Sequence, residues 1–209
     1  MNDTTPGAAA ADASAPRILA IAGSPRRHGN SDALLAACTD AAAAAGARID
    51  LLVVAEAGIG ACTGCNGCSA DGACIVGDRM QDVYPRIDAA DAIVVATPVY
   101  FAGVPSVLKA FYDRCQPYWA RRYVLHREPP ARRPGALLVV GGGGDPYGSS
   151  CAVTTTRSVF AVLGLDYLQE LAVEADARGD ARSQEGTIAS ARNVGEALAR
   201  EAARRSSGV

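Results

Sequence analysis

Four cysteines, Cys62, Cys65, Cys68 and Cys74, follow the pattern CxxCxxCx5C in a loop otherwise made mostly of glycine, alanine and short polar residues. The stretch Cys62-Thr63-Gly64-Cys65-Asn66-Gly67-Cys68 has no apolar periodicity, so it offers no helix or strand face on which thiols could be buried as ordinary small hydrophobes. Gly64, Gly67 and Gly72 leave the backbone free to curl and bring the sulfurs together. A cubane iron–sulfur cluster needs four thiolates gathered in this way, whereas structural zinc sites usually use two paired knuckles with a longer spacer. The spacing favours a 4Fe-4S cluster over zinc, with unligated or redox-active thiols as the remaining alternative. Cys38, Cys115 and Cys151 lie far apart in apolar or helix-forming contexts and read as core residues.

A second chemistry is written in Gly23-Ser24-Pro25-Arg26-Arg27-His28-Gly29-Asn30-Ser31. Hydroxyls, a guanidinium, an amide and the free N–H groups of a helix start together suit a terminal phosphate monoester. The loop is neither GxGxxG nor a Walker loop, which disfavours a dinucleotide pyrophosphate or a nucleoside triphosphate there. In Thr97-Pro98-Val99-Tyr100-Phe101-Ala102-Gly103-Val104-Pro105, two prolines stiffen a turn whose adjacent aromatics could support a flat apolar ring or simply join the core. Gly141 to Gly144, followed by Asp145-Pro146-Tyr147-Gly148, leaves almost no side chain between backbone and such a ring. A basic group, Arg121, Arg122, His126, Arg127, Arg132 and Arg133, accompanied by Tyr118, Trp119 and Tyr123, suits an anionic substrate or else a solvated loop. No catalytic acid or base stands out; His28 and His126 read as surface or structural residues, and Tyr100 and Asp145 fall near the expected ring.

These loops need a frame. Short apolar runs at Arg17 to Gly23, Arg48 to Val54, Asp91 to Thr97, Ala136 to Gly141 and Leu165 to Val173 read as strands buried in a parallel sheet. Helix-compatible stretches, Ser31 to Ala45, Asp78 to Ala90, Val104 to Asp113, Ser150 to Leu163 and Ser183 to Arg205, alternate with them. That alternation predicts a doubly wound α/β sheet, with ligands bound beyond the carboxyl ends of its strands. The 209 residues, 49% hydrophobic and 20% charged, suit one globular domain over residues 17–205 with the Cys-rich loop at 62–74, and residues 1–16 read as a disordered leader. A net charge of -2 disfavours nucleic acid as a partner, and no apolar run reaches the roughly 18 residues a membrane span needs. Seven cysteines with no export signal suit the cytoplasm.

The phosphate loop, the Thr97 to Gly103 turn leading into Val107-Leu108-Lys109-Ala110-Phe111-Tyr112-Asp113-Arg114, and the cysteine loop between them resemble the flavodoxin-like FMN reductase superfamily, and within it the iron–sulfur flavoproteins. The resemblance covers Arg17 to about Val173. It implies a flavodoxin-like five-stranded parallel sheet, doubly wound, in strand order 2-1-3-4-5. It implies FMN with Ser24, Arg26, Asn30 and Ser31 on its phosphate, and with Pro98, Val99, Tyr100, Phe101, Gly142 and Gly143 around its ring. It implies a cluster on Cys62, Cys65, Cys68 and Cys74, NAD(P)H as a possible electron donor, and a homodimer or homotetramer. The activity implied is an oxidoreductase acting on a small anionic organic molecule or a redox partner, with Arg121, Arg122 and Arg127 as candidate substrate ligands. The alternatives are an NAD(P)H-dependent FMN or quinone reductase and a non-catalytic electron carrier or redox sensor. The sequence is also similar to iron–sulfur flavoprotein dehydrogenases that aromatise 2-amino-4-deoxychorismate to 3-enolpyruvoylanthranilate in antibiotic biosynthesis.

Overall fold

Three strands form the buried centre: Arg17–Ala22 (β1), Ala92–Pro98 (β3) and Arg133–Gly141 (β4) are covered along nearly their whole length. This is what uninterrupted apolar runs in a parallel sheet require, because helices must cover both faces. Arg48–Val53 (β2) and Leu165–Glu174 (β5) are edge strands and remain partly open to solvent. The computed structural model describes residues 14–206 and pairs all five strands in parallel, in the order β2-β1-β3-β4-β5. The expected flavodoxin-like topology is the observed one.

The helices are Asn30–Ala44 (α1), Cys68–Asp71 (α2), Met80–Asp88 (α3), Ser106–Asp113 (α4), Gln116–Tyr123 (α5), Ser150–Val162 (α6), Asp180–Ser183 (α7) and Glu185–Ser206 (α8). Strand side chains alternate between two cores. Ile18, Ala20, Val94 and Ala96 pack against α1 and α8, while Leu19, Ile21, Ile93 and Val95 pack against α3, α4, α5 and α6. A Cβ at Gly195 would overlap the Cys38 carbonyl, so α1 and α8 meet at backbone distance. Cys38 and Cys115 are buried as expected, and burial pushes both thiols up to about 12. Cys151 departs from that expectation: it is exposed in the first turn of α6 rather than in the core.

Two local features differ from the sequence expectation. Helix α5 lies in what reads as open connection; Pro117 in its first turn and Arg121 and Arg122 in its last favour it, but it is short and polar on average. Strand β4 starts at Arg133, ahead of the expected Ala136, because Arg133 to Gly135 pair with Leu165 to Tyr167 of β5. Gly135 is needed there: a Cβ would stand 2.8 Å from the Phe160 ring. Of the expected leader, residues 1–13 lie outside the described residues. Among the described residues, no helix is long and apolar enough to cross a membrane.

Candidate functional site

The chain leaves the carboxyl end of β1 through a close approach. The Gly23 N–H donates to the Ala96 carbonyl at 2.8 Å, and a Cβ at Gly23 would lie 2.6 Å from Leu108 Cδ2 and 2.9 Å from Ala96 O. Ser24 and Ser31 are buried, and the Ser24 hydroxyl accepts from the Arg26 N–H at 3.0 Å. Helix α1 has Gly29 at its N-cap and no side chain capping it, which leaves its first turn open to an anion. Arg27 is spent on Asp32 and Glu56, at 3.6 and 3.3 Å. Arg26 is exposed and has no ion-pair partner among the described residues, so it is the guanidinium of this loop that can meet a phosphate.

Asn30 does something the sequence does not reveal. Its carboxamide donates to the carbonyls of Ala175 and Ala177 and accepts from the N–H groups of Gly179 and Ala181, so it pins the segment between β5 and α7 beneath the loop. Arg178 completes the clasp by donating to the carbonyls of Arg27 and His28. As a phosphate ligand, Asn30 is therefore left with its backbone position at the helix start, while its side chain is engaged elsewhere.

At the end of β3, Thr97 is fully buried and the Val99 N–H donates to Val140 O at 2.7 Å. Tyr100 and Gly103 then exchange two backbone hydrogen bonds across a tight turn whose central residues, Phe101 and Ala102, take φ of 51° and 60°. Left-handed backbone costs an L-residue about 1 kcal/mol or more, and such strain concentrates where a ligand is held. The turn is fixed to α6 by the Ala152 N–H donating to Ala102 O. Phe101 is wholly exposed and Tyr147, on the glycine loop after β4, is largely so, which disposes of Phe101 as a core residue. Gly143 and Gly144 have φ of 77° and 74°, and a Cβ at Gly142 would meet the Asp176 carboxylate at 2.8 Å, so this loop requires glycine on both conformational and steric grounds.

The four thiols of the cysteine loop line one cavity of about 370 Å³, together with Asp113, Arg114, Gln116, Pro117 and Trp119 from the end of α4 and the start of α5. Gly67 and Gly72 make this possible. A Cβ on Gly67 would press into Ile75 at 2.9 Å, and one on Gly72, which has φ of 77°, would strike Arg121 Cγ at 2.6 Å. Among the described residues, no three His, Cys, Asp or Glu side chains converge closely enough to hold a single ion. Four thiols lining one cavity are the all-sulfur donor set that an iron–sulfur cubane takes. The donor set and the space fit an iron–sulfur cluster. The Cys65 thiol is lowered by the Gly67 N–H and the Thr63 hydroxyl, whereas Cys68 is raised by burial and by the three neighbouring thiols.

Beneath this cavity, the wholly buried side chain of Arg114 pairs with Asp78 through two hydrogen bonds of 2.6 and 3.0 Å, and donates also to the carbonyls of Gly60 and Val76. This pairing holds the Asp78 carboxyl down at about 2. The Tyr84 hydroxyl donates to the Arg114 carbonyl at 2.8 Å, which fixes α3 to the same point. Sequence reading did not single out Arg114, because nothing local marks it as buried.

The basic group is placed otherwise than expected. Arg121, Arg122, Arg127, Arg132 and Arg133 line a cavity with Ala89 to Asp91, Gly164 and Arg205, at the amino ends of β3, β4 and β5. The phosphate and ring loops stand at the opposite ends of strands that rise about 3.3 Å per residue, roughly 20 Å away. Arg121 donates to Gly72 O and Arg127 to Asp71 O, so these two hold the cysteine loop; Arg122 donates to Ala161 O. As ligands for a substrate stacked on a flavin in the same chain, Arg121, Arg122 and Arg127 are corrected by this geometry.

A model of the family described as NADPH-dependent FMN reductase matches residues 16–178. The chain is 34% identical over 101 residues to an iron–sulfur flavoprotein of Methanocaldococcus jannaschii, covering 48% of this chain and 52% of that protein. It is 33% identical over 105 residues to an iron–sulfur flavoprotein of Archaeoglobus fulgidus, covering 50% of this chain and 48% of that one. The chain thus spans about half the length of the curated relatives it matches. In fold it is similar to an NAD(P)H:quinone oxidoreductase from Methanothermobacter marburgensis, with a TM-score of 0.65 at 18% identity over 88% of this chain and 99% of that one.

Proposed function

Because the chain belongs to the NADPH-dependent FMN reductase family, we propose that it is an FMN-dependent iron–sulfur oxidoreductase. Ser24, Arg26, Ser31 and the start of α1 receive the FMN phosphate, with Asn30 holding the loop in shape. Pro98, Val99, Tyr100 and Phe101 support the ring, and Gly142 and Gly143 let the backbone approach it. Cys62, Cys65, Cys68 and Cys74 hold a 4Fe-4S cluster. Bound together, a flavin that exchanges one or two electrons and a cluster that exchanges one supply the conversion between hydride and single-electron transfer.

The observation that carries this reading is that all four thiols line one cavity. Its test is the content of protein purified anaerobically: the irons and sulfides of one cubane and one FMN per chain are expected, and protein without flavin or iron overturns it. A second reading, an NAD(P)H-dependent reductase of flavins or quinones with purely structural thiols, is favoured by the family's description. Cys68→Ser separates the two. Under the first reading it abolishes the cluster's visible absorbance and electron transfer beyond the flavin, and under the second, NAD(P)H-driven turnover is unchanged. A non-catalytic carrier or sensor predicts turnover of neither kind.

The finer substrate assignment, aromatisation of 2-amino-4-deoxychorismate in antibiotic biosynthesis, rests on the sequence resemblance alone, since the arginines that suited its carboxylates stand at the far end of the sheet. A fluorescent anthranilate product formed by holoenzyme establishes it. The assembly we propose is a homodimer or homotetramer in the cytoplasm, with mass measured by light scattering on the eluting protein.

A further inference from the structure

The cysteine loop is a long excursion closed at its base by one ion pair: the Gly60 N–H donates to Asp78 Oδ2 at 2.8 Å, and Arg114 bonds both stems. Arg114 donates to Gly60 O on the segment leading into the thiols, and to Val76 O and both Asp78 oxygens on the segment leading out. One guanidinium thus fastens both stems of the loop that carries Cys62 to Cys74. Arg121 and Arg127 fasten its tip through Gly72 O and Asp71 O, but from partly exposed positions.

Two further observations concern Arg114. It is among the residues that line the thiol cavity, and its partner Asp78 is not. The Arg114 Nε is buried and finds no hydrogen-bond acceptor among the described residues. An orphaned buried N–H costs about 1–3 kcal/mol, and protein interiors leave few of them. A guanidinium that cannot lose its proton keeps its charge beside the thiol cavity at any physiological pH.

We propose that Arg114 is a positioning residue for the iron–sulfur centre: it clamps both stems of the cysteine loop and places a permanent buried positive charge against the thiolates, which favours the reduced, more negative state of the centre. The inference rests on the cluster reading above. Nearby charge is one of the protein's levers on cluster potential, and Arg114 supplies it from outside the ligand set.

The test compares the anaerobically reconstituted full chain with Arg114→Gln, Arg114→Lys and, as a control at the loop tip, Arg121→Gln. Three quantities are read: iron per chain, the cluster potential by spectroscopically monitored redox titration, and amide exchange across residues 60–78. Arg114→Gln is expected to shift the potential negative and to speed exchange in that loop by about tenfold or more, as loss of a buried pair loosens what it held. Arg114→Lys keeps the charge but not the fork, so it restores the potential while the loop still exchanges faster. Arg121→Gln leaves the potential where it was. Arg114→Gln protein with wild-type iron, potential and exchange overturns the proposal. If the wild-type chain takes up no iron, the cluster reading fails, and the clamp is judged alone: unchanged exchange over residues 60–78 in both Arg114 variants overturns that as well.

Discussion

Arg26 in the β1–α1 loop and Asn30, four positions on at the start of α1, divide the work of this segment. Arg26 offers a guanidinium with no internal ion pair, while Asn30 spends its carboxamide on four backbone groups more than a hundred positions downstream. Arg26→Ala is expected to weaken FMN binding by about tenfold, the loss of one charge-assisted hydrogen bond, with the melting temperature of the apoprotein unchanged. Asn30→Ala should do the reverse in origin, lowering apoprotein stability by roughly 2 kcal/mol in urea titration and affecting FMN only as the loop loosens. Titrating FMN fluorescence against each variant checks both. That Arg26 is a candidate was legible because a free arginine in a phosphate-type loop has few other uses. The Asn30 role was not, because its partners are remote backbone atoms that carry no side-chain signature.

At the scale of elements, the turn after β3 holds a backbone conformation its sequence does not favour locally, and the stem of the cysteine loop is held by a buried ion pair. Phe101 sits at φ 51° with its ring in solvent, so Phe101→Gly should raise apoprotein stability by about 1 kcal/mol while weakening FMN binding. Opposite signs in thermal melts and FMN titration check it. In the loop stem, Asp78 falls from 3.8 to about 2 beside Arg114, so its contribution is complete above about pH 4 and disappears as pH drops toward 2. Asp78→Asn should therefore show an acid-dependent stability loss smaller than wild type by on the order of 2 kcal/mol over that window, read from denaturation curves at successive pH values. Strands β1, β3 and β4 were legible because both of their faces are covered and their apolar runs are unbroken. Helix α5 was not, because it has only eight residues and they are polar on average, which reads as a connection.

At the scale of the molecule, the sheet separates two groups of chemistry that lie close in the chain. The phosphate and ring loops share one end of the strands, while the arginine cavity lies at the other. Arg122→Ala is accordingly expected to leave NAD(P)H-driven flavin reduction within about twofold of wild type, measured by stopped-flow bleaching, since the residue is a strand's length from the ring loops. The sequence by itself determined the parallel α/β class, the glycine-rich loops at the carboxyl ends of β1 and β4, and the identity of the four thiols that line one cavity. These follow from apolar period, from glycine and proline at turns, and from spacing within a few residues, all of which act locally. Only the tertiary structure decided that Arg114 is buried beneath the thiols, that Asn30 is a staple, and that the arginines after α4 serve the cysteine loop and the amino end of the sheet. Those assignments depend on which distant backbone carbonyls each side chain meets, and that is fixed by how strands and helices pack, not by the residues on either side.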